Sequence, residues 1–145
     1  MFAKILYPTD FSDVAAKALN YIKKLKDSGA QEVIALHVID ERGTDLVHRI
    51  LGEGEFNKLK KHKQEETESL LKGVKKKLAA AGLKVRLRIE TGMPVREILR
   101  VEEEEKVSVT VIGSHGWSNL QEIFLGSVSE KVIRRSKNPV LVIKR

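Results

Sequence analysis

A chain of 145 residues, 41% hydrophobic and 32% charged, has the make-up of one packed domain, and at this length it buries roughly two thirds of the surface its unfolded form exposes. With no cysteine it can hold neither a disulfide nor a thiolate-bound zinc or iron–sulfur centre. The formal charge of +7 favours anionic partners such as nucleotides, nucleic acid or acidic surfaces, without choosing among them.

The chain opens MFAKILYPTDFSD, whose apolar stretch of about five residues runs into proline and two acids and so reads as a strand rather than a signal peptide. That strand is Ala3 to Tyr7, closed by Pro8. Ser12 and Asp13 offer N-caps to a helix carrying Val14, Ala18, Tyr21, Ile22 and Leu25 at three- and four-residue spacing, which Gly29 ends. Val33 to Ile39 is a second strand, apolar enough to be covered on both faces. Residues 40–54 carry three glycines without a clear period and are read as an irregular or partly helical excursion at the sheet's rim. A long helix is expected from Phe56 to Ala81, with Leu59, Leu70, Leu71, Val74, Leu78 and Ala81 on one face and the turns from His62 to Glu68 projecting into solvent.

Val85 to Glu90 alternates apolar and charged residues, as a half-exposed edge strand does. A short helix begins at Pro94, turns Val95, Ile98 and Leu99 inward, and ends in the acidic run Glu102 to Glu105, read as exposed. Val107 to Ile112 is a central strand, Ser127 to Arg135 a helix and Val140 to Ile143 the last strand. Strands alternating with helices specify βαβ units, hence an α/β fold: a single-domain, doubly wound, five-stranded parallel sheet spanning 1–145 with right-handed crossovers.

Chemistry concentrates after the fourth strand. There Gly113-Ser114-His115-Gly116 is followed, nine residues on, by Gly126-Ser127-Val128-Ser129 at the start of the last helix. In open parallel sheets ligands bind beyond the carboxyl ends of the strands, near the point where strand order reverses. Glycine at 113 and 116 allows close backbone approach and positive φ, while the free amides and positive dipole end of the last helix attract phosphate. Ser127 and Ser129 add hydroxyl donors.

This arrangement resembles the ATP-binding signature of the universal stress protein family, G-x2-G-x9-G-(S/T), with every fixed position met. Tyr7-Pro8-Thr9-Asp10-Phe11-Ser12, Leu36-His37-Val38 and the closing Pro139-Val140-Leu141-Val142 also look like that family, so the resemblance runs end to end and is least distinct over 40–62. It implies an adenine nucleotide α-hydrolase-like sheet of strand order 3-2-1-4-5 and a bound ATP, ADP or AMP. Pro8, Thr9 and Asp10 would then lie against the adenosine, and the backbone of Val38 would meet the adenine edge. Gly113, His115 and Gly116 would wrap ribose and phosphates, with Gly126, Ser127, Val128 and Ser129 holding the phosphate chain. Mg²⁺ or Mn²⁺ would ride on the phosphates, since the sequence offers no all-protein metal cage. The resemblance further implies a homodimer formed near Val140 to Ile143, an apolar strand at the chain's end that is expected to be an edge.

Plainer roles stand beside these. Asp10 can cap the first helix, and Ser127 and Ser129 are ordinary helix-start residues. His37, inside an apolar strand, reads as a satisfied core histidine; His48 and His62 read as surface residues; Trp117 either shields the site or anchors its loop. There is no GxxxxGK[ST], no GxGxxG after the first strand, no HxGH and no SGGxDS, which argues against P-loop, dinucleotide, nucleotidylyl-transfer and ATP pyrophosphatase chemistry. Without an evident general base beside the phosphates, binding is favoured over turnover, and the chain is expected to act as a nucleotide-responsive stress or signalling module. The alternatives are slow ATP hydrolysis and nucleic-acid binding through the long helix, where Glu55 to Lys77 holds eight lysines against four glutamates. Such mixed charge without interleaved aromatics reads as a solvated face. No stretch approaches the roughly twenty apolar residues a membrane helix needs, so the expected location is cytoplasmic.

Overall fold

The computed structural model describes residues 1–115 and 125–145. Strands β1 (Lys4–Pro8), β2 (Glu32–Asp40), β3 (Lys84–Gly92), β4 (Val109–Gly113) and β5 (Val140–Ile143) form one parallel sheet in the order β3-β2-β1-β4-β5. Helices α1 (Asp13–Leu25), α2 (Glu41–Leu51), α3 (Glu53–Ala80), α4 (Pro94–Glu105) and α5 (Ser127–Arg135) connect them. The expected strand order and α/β class are therefore the observed ones.

Period-two alternation divides the core between two faces. Ile5, Tyr7, Val33, Ala35 and Val85 pack with Ala18, Leu19 and Ile22 of α1 and Leu71, Val74 and Leu78 of α3. Leu6, Ile34, Leu36 and Ile112 pack with Ile98 and Val101 of α4 and Val132 of α5. The Tyr7 hydroxyl donates to the Ala15 carbonyl at 2.5 Å, and burial pushes its phenol up to about 12. At the start of α1 the Ser12 hydroxyl accepts from the Ala15 amide at 3.3 Å, so Ser12 is the cap.

Several expectations shift. Residues 41–51 are the helix α2, begun where the Asp40 carboxylate accepts from the Arg42 amide at 3.0 Å and ended at Gly52, whose φ of 75° only glycine adopts easily; α3 follows at once from Glu53. α2 buries none of its residues and leaves Leu46, Ile50 and Leu51 exposed, although Leu46, Val47, Ile50 and Leu51 fall on one face at helical spacing, a period that Gly43, Gly52 and Gly54 obscured in the sequence. Tyr21, Leu59 and Leu70 also face solvent, while Leu19 and Thr67 are buried instead. β4 begins at Val109 rather than Val107, because the Val107 amide still donates to the Glu102 carbonyl in the turn that ends α4.

The acidic run at the end of α4 is the clearest correction. Glu102 is buried, and its two carboxylate oxygens accept from the Thr110 hydroxyl at 2.6 Å and the Ser136 hydroxyl at 2.8 Å, joining α4 to β4 and to the residue after α5. Glu104 and Glu105 pair with arginines on β3. A buried carboxylate persists where hydroxyl donors replace its water.

Candidate functional site

β1 lies between β2 and β4, and the chain leaves it on one side for β2 and returns on the other through β4, which makes the β1/β4 boundary the reversal point of the sheet. Two turns flank it.

The first follows β1. Pro8 and Thr9 are buried and Asp10 is half-buried. The Thr9 amide donates to the Leu36 carbonyl at 2.8 Å, extending the β1–β2 ladder one residue past the strand. The Thr9 hydroxyl accepts from the Phe11 amide and an Asp10 carboxylate oxygen accepts from the Ser12 amide, both at 3.0 Å. Asp10 thus shapes the turn, leaving the helix cap to Ser12. Phe11 has φ of 62°, left-handed backbone that costs a side-chain-bearing residue about 1–2 kcal/mol and is held only where neighbours enforce it. Those neighbours include His37 of β2, whose ring centroid lies 4.9 Å from that of Phe11 and whose Nδ1 lies 2.8 Å from the Thr9 carbonyl oxygen. His37 is half-buried and satisfied, as expected. Val38 packs its side chain on the opposite sheet face, against the cluster of Leu36 and Ile112.

The second turn follows β4. A Cβ on Gly113 would stand 3.0 Å from Val14 Cγ1 and 3.4 Å from the Ala15 nitrogen. Gly113 is therefore required for the close approach of β4 to the first turn of α1, and it does not adopt the positive φ that the sequence suggested. The Ser114 amide donates to the Ile143 carbonyl, and the Gly126 amide donates to the Ser114 carbonyl, both at 2.8 Å, so the loop that leaves β4 returns to the same strand end. Buried Ser114 Oγ and His115 Nδ1 share a hydrogen bond of 2.6 Å.

α5 starts from Gly126 in ordinary extended backbone, with Ser127 exposed and Val128 half-buried. The first amides of a helix have no intrahelical acceptor, so those of Ser127, Val128 and Ser129 are donors at its positive end. The Ser129 hydroxyl is committed inward, donating to the Gly113 carbonyl at 2.7 Å, so of the two serines only Ser127 presents an exposed hydroxyl. Gly113 consequently draws together the amino ends of α1 and α5. Gly116 and Trp117 lie outside the described residues.

Sequence reasoning passed over Ser114 and Phe11. Ser114 sits at an unspecified place within GxxG, and nothing in composition marks its burial. Left-handed backbone at an aromatic residue runs against its statistical preference and has no sequence signal. Among the described residues no group of three or more His, Asp or Glu is arranged to hold a metal ion.

The chain matches the profile of the universal stress protein family over residues 1–144. It is 46% identical to universal stress protein MJ0577 of Methanocaldococcus jannaschii, an alignment covering 100% of this chain and 96% of that protein. The solved structure of MJ0577 superposes with a TM-score of 0.88, covering 100% and 97% of the two chains at 47% identity. A universal stress protein in complex with cAMP (TM-score 0.70, 23% identity, 99% and 97% covered) and one from Archaeoglobus fulgidus in complex with dAMP (0.67, 19%, 99% and 98%) share the fold. From its first strand to its last, this chain belongs to the universal stress protein family.

Proposed function

We propose that the chain is a single universal stress protein domain that binds an adenine nucleotide, ATP, ADP or AMP, between the β1 and β4 turns and acts through occupancy more than through turnover. The observation that carries this reading is the convergence at Gly113: Ser129 ties the start of α5 to the end of β4, and the first turn of α1, which follows the Asp10 turn, packs on the same glycine. In this reading Asp10 takes donors of the nucleoside, the Val38 backbone meets the base, and the amides of Ser127 to Ser129 with the Ser127 hydroxyl take the phosphates. Two relatives of the same fold in complex with cAMP and dAMP lend support, both ligands being adenine nucleotides. Any Mg²⁺ or Mn²⁺ belongs in this reading to the phosphates rather than to a protein cage.

We also propose a homodimer paired through β5. The two sheet edges differ: β3 is lined by arginine–glutamate pairs, whereas β5 is short and apolar with Leu141 exposed.

Isothermal titration of the purified chain with ATP, ADP, AMP and GTP tests the function. Saturable binding of adenine nucleotides, with GTP weaker, is the expected result. Absence of heat from all the adenine nucleotides would refute it.

A further inference from the structure

Thr9 is the last fixed point before Asp10, and both of its backbone polar groups are tied to β2. Its amide donates to the Leu36 carbonyl at 2.8 Å and its carbonyl oxygen lies 2.8 Å from His37 Nδ1. The second tie is unusual, since it uses a side chain from 28 residues away in place of a ladder bond. A carbonyl only accepts, so Nδ1 carries the hydrogen, whether the ring is neutral or charged.

The strand's alternation explains how the ring arrives there. Val33 and Ala35 point to the α1–α3 face, so His37 points the same way, under the β1–α1 turn, and Phe11 lies over it with ring centroids 4.9 Å apart. Val38 points to the other face. Neighbouring residues of β2 thereby serve opposite sheet faces, Val38 packing on the Leu36 and Ile112 cluster and His37 bracing the β1–α1 turn.

That turn needs bracing, because Phe11 sits at φ of 62° and the hydrogen bonds that define it, Phe11 amide to Thr9 hydroxyl and Ser12 amide to Asp10 carboxylate, are both local. Local bonds alone close readily in other backbone shapes. An anchor from β2 selects one. We propose that His37 is a positioning residue for nucleotide binding: its Nδ1–H fixes the Thr9 carbonyl and, with its ring against Phe11, holds Asp10 in the orientation that meets the nucleoside. This rests on the nucleotide reading above, and it assigns to a histidine that looks like core filling a part in affinity.

The test compares His37→Phe, His37→Gln and His37→Asn in the full chain, reading ATP affinity by calorimetry and amide hydrogen exchange at Phe11 and Ser12. Phe keeps an aromatic ring without a donor, Gln carries its N–H near the Nε2 position, and Asn carries one near the Nδ1 position. Loss of one neutral hydrogen bond corresponds to about a tenfold change, so Phe and Gln are expected to weaken ATP binding and speed exchange at both amides by about that factor. Asn is expected to stay within about threefold of the parent chain on both readouts, a rescue that a space-filling role does not give. The inference is overturned if Phe and Gln keep parental affinity and protection, or if Asn falls as far as Phe. If the parent chain takes up no ATP, the nucleotide reading and with it the positioning role fail, and faster exchange at Phe11 and Ser12 in the Phe and Gln variants would leave His37 as a brace of the turn alone.

Discussion

At Gly113 the backbone of β4 meets the first turn of α1 so closely that the Cβ of any other residue would stand 3.0 Å from Val14 Cγ1, itself buried. Gly113→Val should therefore lower stability by about 1–3 kcal/mol in urea unfolding, the usual cost of overpacking, and weaken nucleotide binding as the end of β4 and the first turn of α1 separate. Unchanged stability would mean that the contact relaxes freely. The need for glycine was legible in the GxxG spacing, but its reason was not: the sequence suggested positive φ, whereas the structure uses the missing side chain for packing. Glu102 makes the same point in reverse. One of four consecutive acids at a helix end has no local mark of burial, and only the hydroxyls of Thr110 on β4 and Ser136 beyond α5 show why it is held inside.

Among the elements, β3 and α4 are joined by ion pairs rather than by apolar contact alone. Arg86 bridges Glu32 and Glu105, Arg88 bridges Glu90, Glu104 and Glu105, and Arg100 bridges Glu90, Glu97 and Glu104. Single exposed pairs contribute little, but charges shared in a network contribute more and also guard the open edge against pairing with other strands. The Arg86 hydrogen bond is the largest cause holding the carboxyls of Glu32 and Glu105 below the usual carboxylate range. A carboxyl whose folded value is lowered adds stability above its unfolded value, about 4.3 for glutamate, and loses it as pH falls through the folded value. The thermal midpoint should thus be level from about pH 7 to 5 and drop below about pH 4.3, with Glu105→Gln reducing the drop. An identical acid limb in the variant would remove Glu105 from the account. The elements read well from sequence where periodicity reports burial, as in β1, β2, α1 and α5. They read poorly over 40–54, where three glycines suggested irregular chain although Leu46, Val47, Ile50 and Leu51 share one face of α2.

For the whole molecule, βαβ alternation carried the fold class, while the glycine spacing carried the family resemblance and, through it, the strand order. The reversal point between β1 and β4 is where the proposed nucleotide is placed. The unequal edges motivate the proposed dimer: if β5 pairs with its copy, Leu141→Lys should convert a dimer to a monomer by light scattering at micromolar concentration. A monomeric parent chain would contradict the pairing. The claim on which the rest depends is the location of the nucleotide. Amide chemical-shift mapping during an ATP titration tests it most directly: the account predicts shifts clustered at 9–12, 37–38, 113–115 and 126–129. Shifts confined to the lysine-rich face of α3, or none at saturating ATP, would contradict it.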